Sequence, residues 1–252
     1  ALAMAAWTFN GNSGYRERPE MNLACSGLAP EGDLEDWETL AGDDQRRRNG
    51  MRRLYEIFQD APTLGSLIDP SAPENRLDTA TFEELEPLLV EALTNKEEVE
   101  ETERGVVAFG IARAAELLST EYHFVTTNVP YLGRGKQSDE LMQFCETNYP
   151  KAKTDLATVF IDRCRSFLEE EGMFSAVTPQ NWLFQGQYQT AREHWLKSES
   201  WSFIARLGAG AFNTISGEVV KAMLFNFKHL RPDSHSEFAW LNVSNESGVR
   251  QK

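Results

Sequence analysis

From His123 onward the hydrophobic pattern switches repeatedly between two periods, and that alternation restricts the folds open to the chain. His123–Thr127 is a short strand-like run. Asp155–Leu168 then places Leu156, Val159, Phe160, Cys164, Phe167 and Leu168 at three- and four-residue steps, the spacing of an amphipathic helix that Gly172 is expected to end. Met173–Val177 is strand-like again, Tyr188–Leu196 helical, and Trp201–Leu207 and Val219–Phe227 are two further strands. Strand–helix–strand repetition predicts an α/β fold with a parallel-type sheet and helices on its faces.

The first half reads differently. Met21–Cys25 is a short apolar run ending in Ser26-Gly27, which suggests a strand and a turn. Leu28–Asp44 and Thr63–Pro73 read as loops. Asn49–Phe58 carries Met51, Leu54, Tyr55 and Phe58 at helical spacing. Thr81 with Glu84 three residues on forms a capping box, so a helix should start there. A further helix should run from about Asn95 to Leu118 through Val107, Ile111, Ala114, Ala115 and Leu118.

Composition narrows the function. The 252 residues carry a net charge of −14, which argues against a free-standing nucleic-acid binder held by general charge attraction. Basic residues nevertheless cluster locally, at Arg46–Arg53, at Arg134 with Lys136, and at Lys228–Arg231. The three cysteines form no CxxC pair and the four histidines are scattered, so no metal site is expected. An odd cysteine count without a signal segment fits a reducing cytoplasm, and no apolar run is long enough to cross a membrane. The chain has no initiator Met, which points to a piece of something longer.

The stretch TTNVPYLGRGK, Thr126–Lys136, invites two readings. A phosphate-binding Walker loop needs GxxxxGK[ST]; here Lys136 is followed by Gln137 and the glycine spacing is absent. A ring-binding loop fits better. Asn128 stands at the carboxyl end of a strand, where open α/β sheets place ligands. Its amide carbonyl and the Val129 backbone carbonyl can both accept hydrogen bonds from one exocyclic amine. Val129 precedes Pro130, which biases it to an extended backbone. Tyr131 offers a ring face. Two acceptors on one amino group draw the nitrogen lone pair out of conjugation, and a weak aromatic amine becomes a usable nucleophile.

NVPY resembles the (N/D/S)PP(Y/F/W) signature, motif IV, of amino-group DNA methyltransferases, in the Asn form of the N6-adenine enzymes. Other segments follow in the family's order. TDLATVFIDRC at Thr154–Cys164 resembles motif V, and GMFSAVTPQNW at Gly172–Trp182 resembles motifs VI and VII. RLGAGAFNTISGEVV at Arg206–Val220 resembles motif VIII, NLACSG at Asn22–Gly27 resembles motif III, and Ala1–Trp7 resembles the helix after motif II. The whole resembles the large adenine-specific methyltransferases of BREX-type phage-defence and fused restriction systems. It departs in two ways. Val129 replaces the first Pro of motif IV, and no glycine-rich motif I occurs anywhere in the chain.

The resemblance implies a Rossmann-like sheet dependent on S-adenosylmethionine, incomplete at its N-terminal side, with a mostly helical insertion at about 33–119. It implies methyl transfer to adenine N6 in a base flipped out of double-stranded DNA, with defence-system proteins as possible partners. Asn128, Val129, Pro130 and Tyr131 would form the catalytic loop. Phe212 would stack on the base, or else belong to the core. Arg134 and Lys136 would meet DNA phosphate, or else lie in a solvated loop. Ser26 and Gly27 would border the cofactor, as would Asp155 unless it serves only to cap its helix. Pro179, Asn181 and Trp182 are expected to be architectural. Two alternatives stand beside this reading: methylation of another planar amine or amide, and a non-catalytic DNA-binding or scaffold piece of a defence complex.

Overall fold

The structure, a computed structural model, describes residues 22–71, 80–94, 99–208 and 221–245. The chain divides into two compact units: residues 1–59 with 75–117, and residues 60–74 with 118–252.

Every described element of the first unit is helical. Helix α1 spans Leu34–Thr39 and α2 spans Gln45–Phe58. Asp44 caps α2, its side chain accepting from the Arg46 and Arg47 backbone N–H groups, which the first turn of a helix otherwise leaves unpaired. Met51, Leu54 and Phe58 then recur on the buried stripe. Trp37 of α1 is fully buried, its indole N–H donating to the Glu31 carbonyl at 2.8 Å and its ring meeting Tyr55 edge-on. Past a four-residue helix, α3 (Ala61–Leu64), which belongs to the other unit, α4 spans Phe82–Thr94. Glu84 accepts from the Thr81 N–H at 2.8 Å, as a capping box requires. Helix α5 spans Val99–Ser119 and buries Ala108, Ile111, Ala112 and Ala114.

Residues 22–25, expected to end a strand, are irregular and exposed, and the turn at Ser26-Gly27 is present. A strand needs a paired neighbour for its backbone groups, and among the described residues 22–25 carry no strand pairing.

The second unit carries a five-stranded sheet in the order β1-β2-β4-β3-β5. Strand β1 is Tyr122–Asn128, β2 Leu168–Pro179, β3 Ser200–Gly208, β4 Ala222–Lys228 and β5 Ala239–Asn242. Between β1 and β2 come α6 (Asp139–Asn148) and α7 (Leu156–Arg165), and between β2 and β3 comes α8 (Gln189–Ser198). The α/β class matches the sequence expectation, but the sheet is mixed. β1 and β2 are parallel, as are β3 and β5, while β4 runs antiparallel to both β2 and β3. Hydrophobic period fixes that a segment is a strand, not which way its neighbour runs.

Gly172 lies inside β2 rather than ending the preceding helix, which stops at Arg165. A Cβ at Gly172 would come within 3.0 Å of the Tyr122 carbonyl of β1, so the two strands approach closely there only because the side chain is missing.

One face of the sheet holds the core. Phe174 and Ala176 of β2, Met223, Phe225 and Phe227 of β4, and Trp201 and Ile204 of β3 pack with Ile161, Trp182 and Trp195. Trp182 meets Trp195 at 5.3 Å and Phe225 at 5.3 Å, both edge-on; such aromatic pairs contribute about 0.5–1.5 kcal/mol beyond burial. The alternate positions Phe124, Met173 and Leu224 are exposed. A smaller cluster of Leu67, Leu141, Cys145, Leu156 and Val159 fixes α6 and α7 to the 60–74 segment. Among the described residues no helix is long and apolar enough to cross a membrane.

Candidate active site

Asn128 is the last residue of β1, in register with Val177 of β2, and its side chain is exposed. The next residue turns inward: Val129 is 2% exposed and its N–H reaches the Val177 carbonyl at 3.4 Å. The strand end thus presents one amide outward while anchoring the chain beneath it. The Tyr131 hydroxyl donates to Asn128 Oδ1 at 3.4 Å, a long bond that orients the carbonyl and leaves it a second lone pair. Burial pushes the Tyr131 phenol above its ordinary value, so it stays protonated and able to donate.

The loop after Tyr131 is held on both sides. Leu132 O accepts from the Leu156 N–H at 2.9 Å, and the Arg134 N–H donates to Thr154 O at 3.1 Å. A short 3-10 turn over Arg134–Lys136 follows, closed by the Lys136 N–H on Gly133 O at 2.9 Å. Asp155, opposite Gly133, caps α7: its carboxylate accepts from the Ala157 N–H at 2.9 Å. Burial raises its pKa, the backbone hydrogen bonds opposing this. The cap is one of the two roles expected of Asp155, which also lines the adjoining cavity.

These segments border a cavity of about 820 Å³, with Tyr131, the 133–136 turn, Thr154 and Asp155 along one side. Pro179, Asn181, Gln187, Tyr188 and Lys221 complete it. Pro179 and Asn181 therefore line the cavity, while Trp182 is architectural, buried with its indole N–H donating to Thr178 Oγ1 at 3.0 Å. Gln187, Tyr188 and Lys221 escaped sequence reasoning because they lie tens of residues from NVPY. The antiparallel β2–β4 pairing sets the start of β4, and so Lys221, beside the end of β2.

The expected residues fall in both units. Ser26 and Gly27 belong to the first unit and the rest of the set to the second. Phe212 lies outside the described residues. Of the expected cofactor residues Asp155 lines this cavity, its Oδ1 accepting from the Ala157 N–H, and the loop beside it that carries Gly133 and Gly135 lacks the motif I pattern.

Among characterised proteins, the chain is similar to the adenine-specific methyltransferase BrxX of Escherichia coli O9:H4 (strain HS), at 31% identity over 199 residues, 79% of this chain and 16% of that protein. It is also similar to the adenine-specific methyltransferase PglX of Lacticaseibacillus casei (strain Zhang), at 37% identity over 117 residues, 46% of this chain and 10% of that protein. The chain thus spans no more than about a sixth of the length of either relative. Of the solved structures, the DrdV–DNA complex superposes with a TM-score of 0.45 at 16% identity, over 58% of this chain and 17% of that one. The profile of the Eco57I restriction-modification methylase family matches residues 47–212, more than half of the chain, and the chain belongs to that family.

Proposed function

We propose that this chain carries the target-amine half of an adenine-specific DNA methyltransferase. The observation that supports this most is the β1 end: an exposed Asn128 amide, fixed by its register to β2 and oriented by the hydroxyl of Tyr131, the one NVPY residue that lines a cavity large enough for a base. Asn128 Oδ1 and the Val129 carbonyl accept the two hydrogens of the adenine amine. Pro130 stiffens the turn, and the Tyr131 ring lies against the base; in this reading Phe212 supplies the other face. Adenine in duplex DNA hides its amine in pairing, so the base must leave the helix to reach this loop. Double-stranded DNA is the substrate, and Arg134 and Lys136 lie on its phosphates.

Family membership implies that S-adenosylmethionine supplies the methyl group. Ser26 and Gly27 are the proposed border of the cofactor's site. What this chain contributes is placement of the nucleophile, and proximity with orientation is a large share of the acceleration in such a displacement. The cytoplasm is the proposed compartment, in keeping with three cysteines that are all free thiols. Defence-system proteins are its proposed partners, by analogy with the relatives above.

The test gives the full-length polypeptide a labelled methyl donor together with genomic DNA or a glutamine-bearing peptide. Label should enter DNA and, after digestion, sit on N6-methyladenine. Label on N4-methylcytosine or on the peptide would overturn the adenine assignment. The scaffold reading predicts no label on any acceptor.

A further inference from the structure

The chain has 39 acidic and 25 basic residues, yet the cavity beside Tyr131 reverses that balance. Arg134, Lys136 and Lys221 line it, against one lining carboxylate, Asp155, which is engaged as a helix cap. Arg134 is paired with Glu146, but Lys153 stands 3.6 Å from the same carboxylate, so two cations share one acid. Among the described residues Lys136 and Lys221 make no ion pair.

These cations come from segments that are distant in sequence and fixed independently. Lys136 stands on the 3-10 turn after β1. Lys221 stands immediately before β4, on the other side of β2 from β1, and lines the same cavity. Its carbonyl accepts from the Gln180 N–H at 2.8 Å. Gln180 is itself buried, and its Oε1 accepts from Arg206 Nε at 2.9 Å. The next residue, Ala222, is in register with Pro179. The backbone at Lys221 is therefore held by β2, β3 and β4 together, while its side chain is exposed and unpaired among the described residues.

We infer that Lys221 is a phosphate-binding residue, the second jaw of a clamp whose first jaw is Arg134 and Lys136, and that its ligand is the phosphodiester backbone of the strand carrying the extruded base. This rests on the proposed function and extends it by naming a cation on the other side of β2 from β1. A flat ring against Tyr131 leaves its sugar and phosphates at the cavity mouth, between the two cationic segments. An ammonium group on a flexible stem suits that task, because it neutralises a phosphate without demanding one orientation. Such contacts position the strand and raise affinity equally for every sequence.

The test measures binding of this chain to a fluorescent single-stranded oligonucleotide across a salt series. Each phosphate contact on a single strand contributes about 0.7 to the slope of log affinity against log salt. Lys221→Gln should lower that slope by about 0.7, as should Lys136→Gln, and equally for oligonucleotides of different sequence. Lys221→Arg should keep the slope, and Lys197→Gln, an exposed cation of α8 outside the cavity, should not change it. Replacing the phosphodiesters by neutral methylphosphonates should erase the difference between Lys221→Gln and the unaltered chain. An unchanged slope in Lys221→Gln, or no oligonucleotide binding by the unaltered chain at low salt, overturns the clamp. Neither result decides the methyl-transfer reading, which stands or falls separately on label at adenine N6.

Discussion

The two ends of strand β2 are built on opposite principles. Near its start, charged groups are buried and paired with one another. Glu199 is fully buried and accepts from Arg165 Nε at 2.7 Å, with His229 Nδ1 2.9 Å from its other oxygen. Asp162 accepts from the same guanidinium at 3.1 Å and from the Trp195 indole N–H at 2.6 Å. This network ties α7, α8 and the end of β4 together. At the other end, Asn128, Lys136 and Lys221 are exposed, and the hydrogen bond from the Tyr131 hydroxyl to Asn128 is 3.4 Å long. The first end uses its polar groups to hold the fold. The second leaves its polar groups exposed, as the proposed function requires.

That contrast predicts unequal responses to mutation. Removing Arg165 should have the largest effect, because it leaves the buried Glu199 carboxylate without its main partner. Arg165→Met should cost about 3–5 kcal/mol in denaturant unfolding, and Arg165→Met with Glu199→Leu should recover much of that. Lys136→Gln and Lys221→Gln, at the other end, should leave the thermal midpoint unchanged. A large destabilisation by either lysine variant would break the comparison.

Thr178 sharpens it, because it is, like Gln180, a buried polar residue close to the cavity end. Thr178→Val removes the acceptor of the Trp182 indole N–H without changing shape much, and should cost about 1–3 kcal/mol. The cavity wall depends on that contact, since Trp182 lies in the same short 3-10 segment as Asn181.

A smaller effect is expected at His194. Burial lowers its pKa below the ordinary 6.5, and the neighbouring Arg165 and Lys151 lower it further. Around and below 6.5 the unfolded chain therefore binds more protons than the folded one. The stability contribution is complete above that pH and is lost as pH falls through the lowered value. His194→Gln should flatten this part of the stability–pH profile, and a profile unchanged by that substitution would remove His194 from the account. The smallest signal is expected from S-adenosylmethionine itself. Calorimetry on this chain should show weak heat or none, and micromolar one-to-one binding would show a complete cofactor site.

Much of this was legible in sequence, and the gaps have physical causes. The strand end at Asn128, the α7 helix and the Thr81–Glu84 box are local features, set by period and capping chemistry within a few residues. The antiparallel course of β4 and the parallel pairing of the short β5 are long-range, and no local period encodes them. The early start of β2 was hidden by Glu169, Glu170 and Glu171, whose charges mask a strand that pairs through its backbone. Lys221 was missed for a related reason. Its neighbours in space are Gln180 and Pro179, about forty residues earlier, and only the β2–β4 register brings them together.

Asn128 is the proposed acceptor for the target amine. In the full-length polypeptide, Asn128→Ala should lower the rate of N6-methyladenine formation in DNA by about 100-fold, the scale of a misplaced reacting group, while oligonucleotide affinity and thermal midpoint stay near those of the unaltered protein. Methylation at the unaltered rate by Asn128→Ala would contradict it.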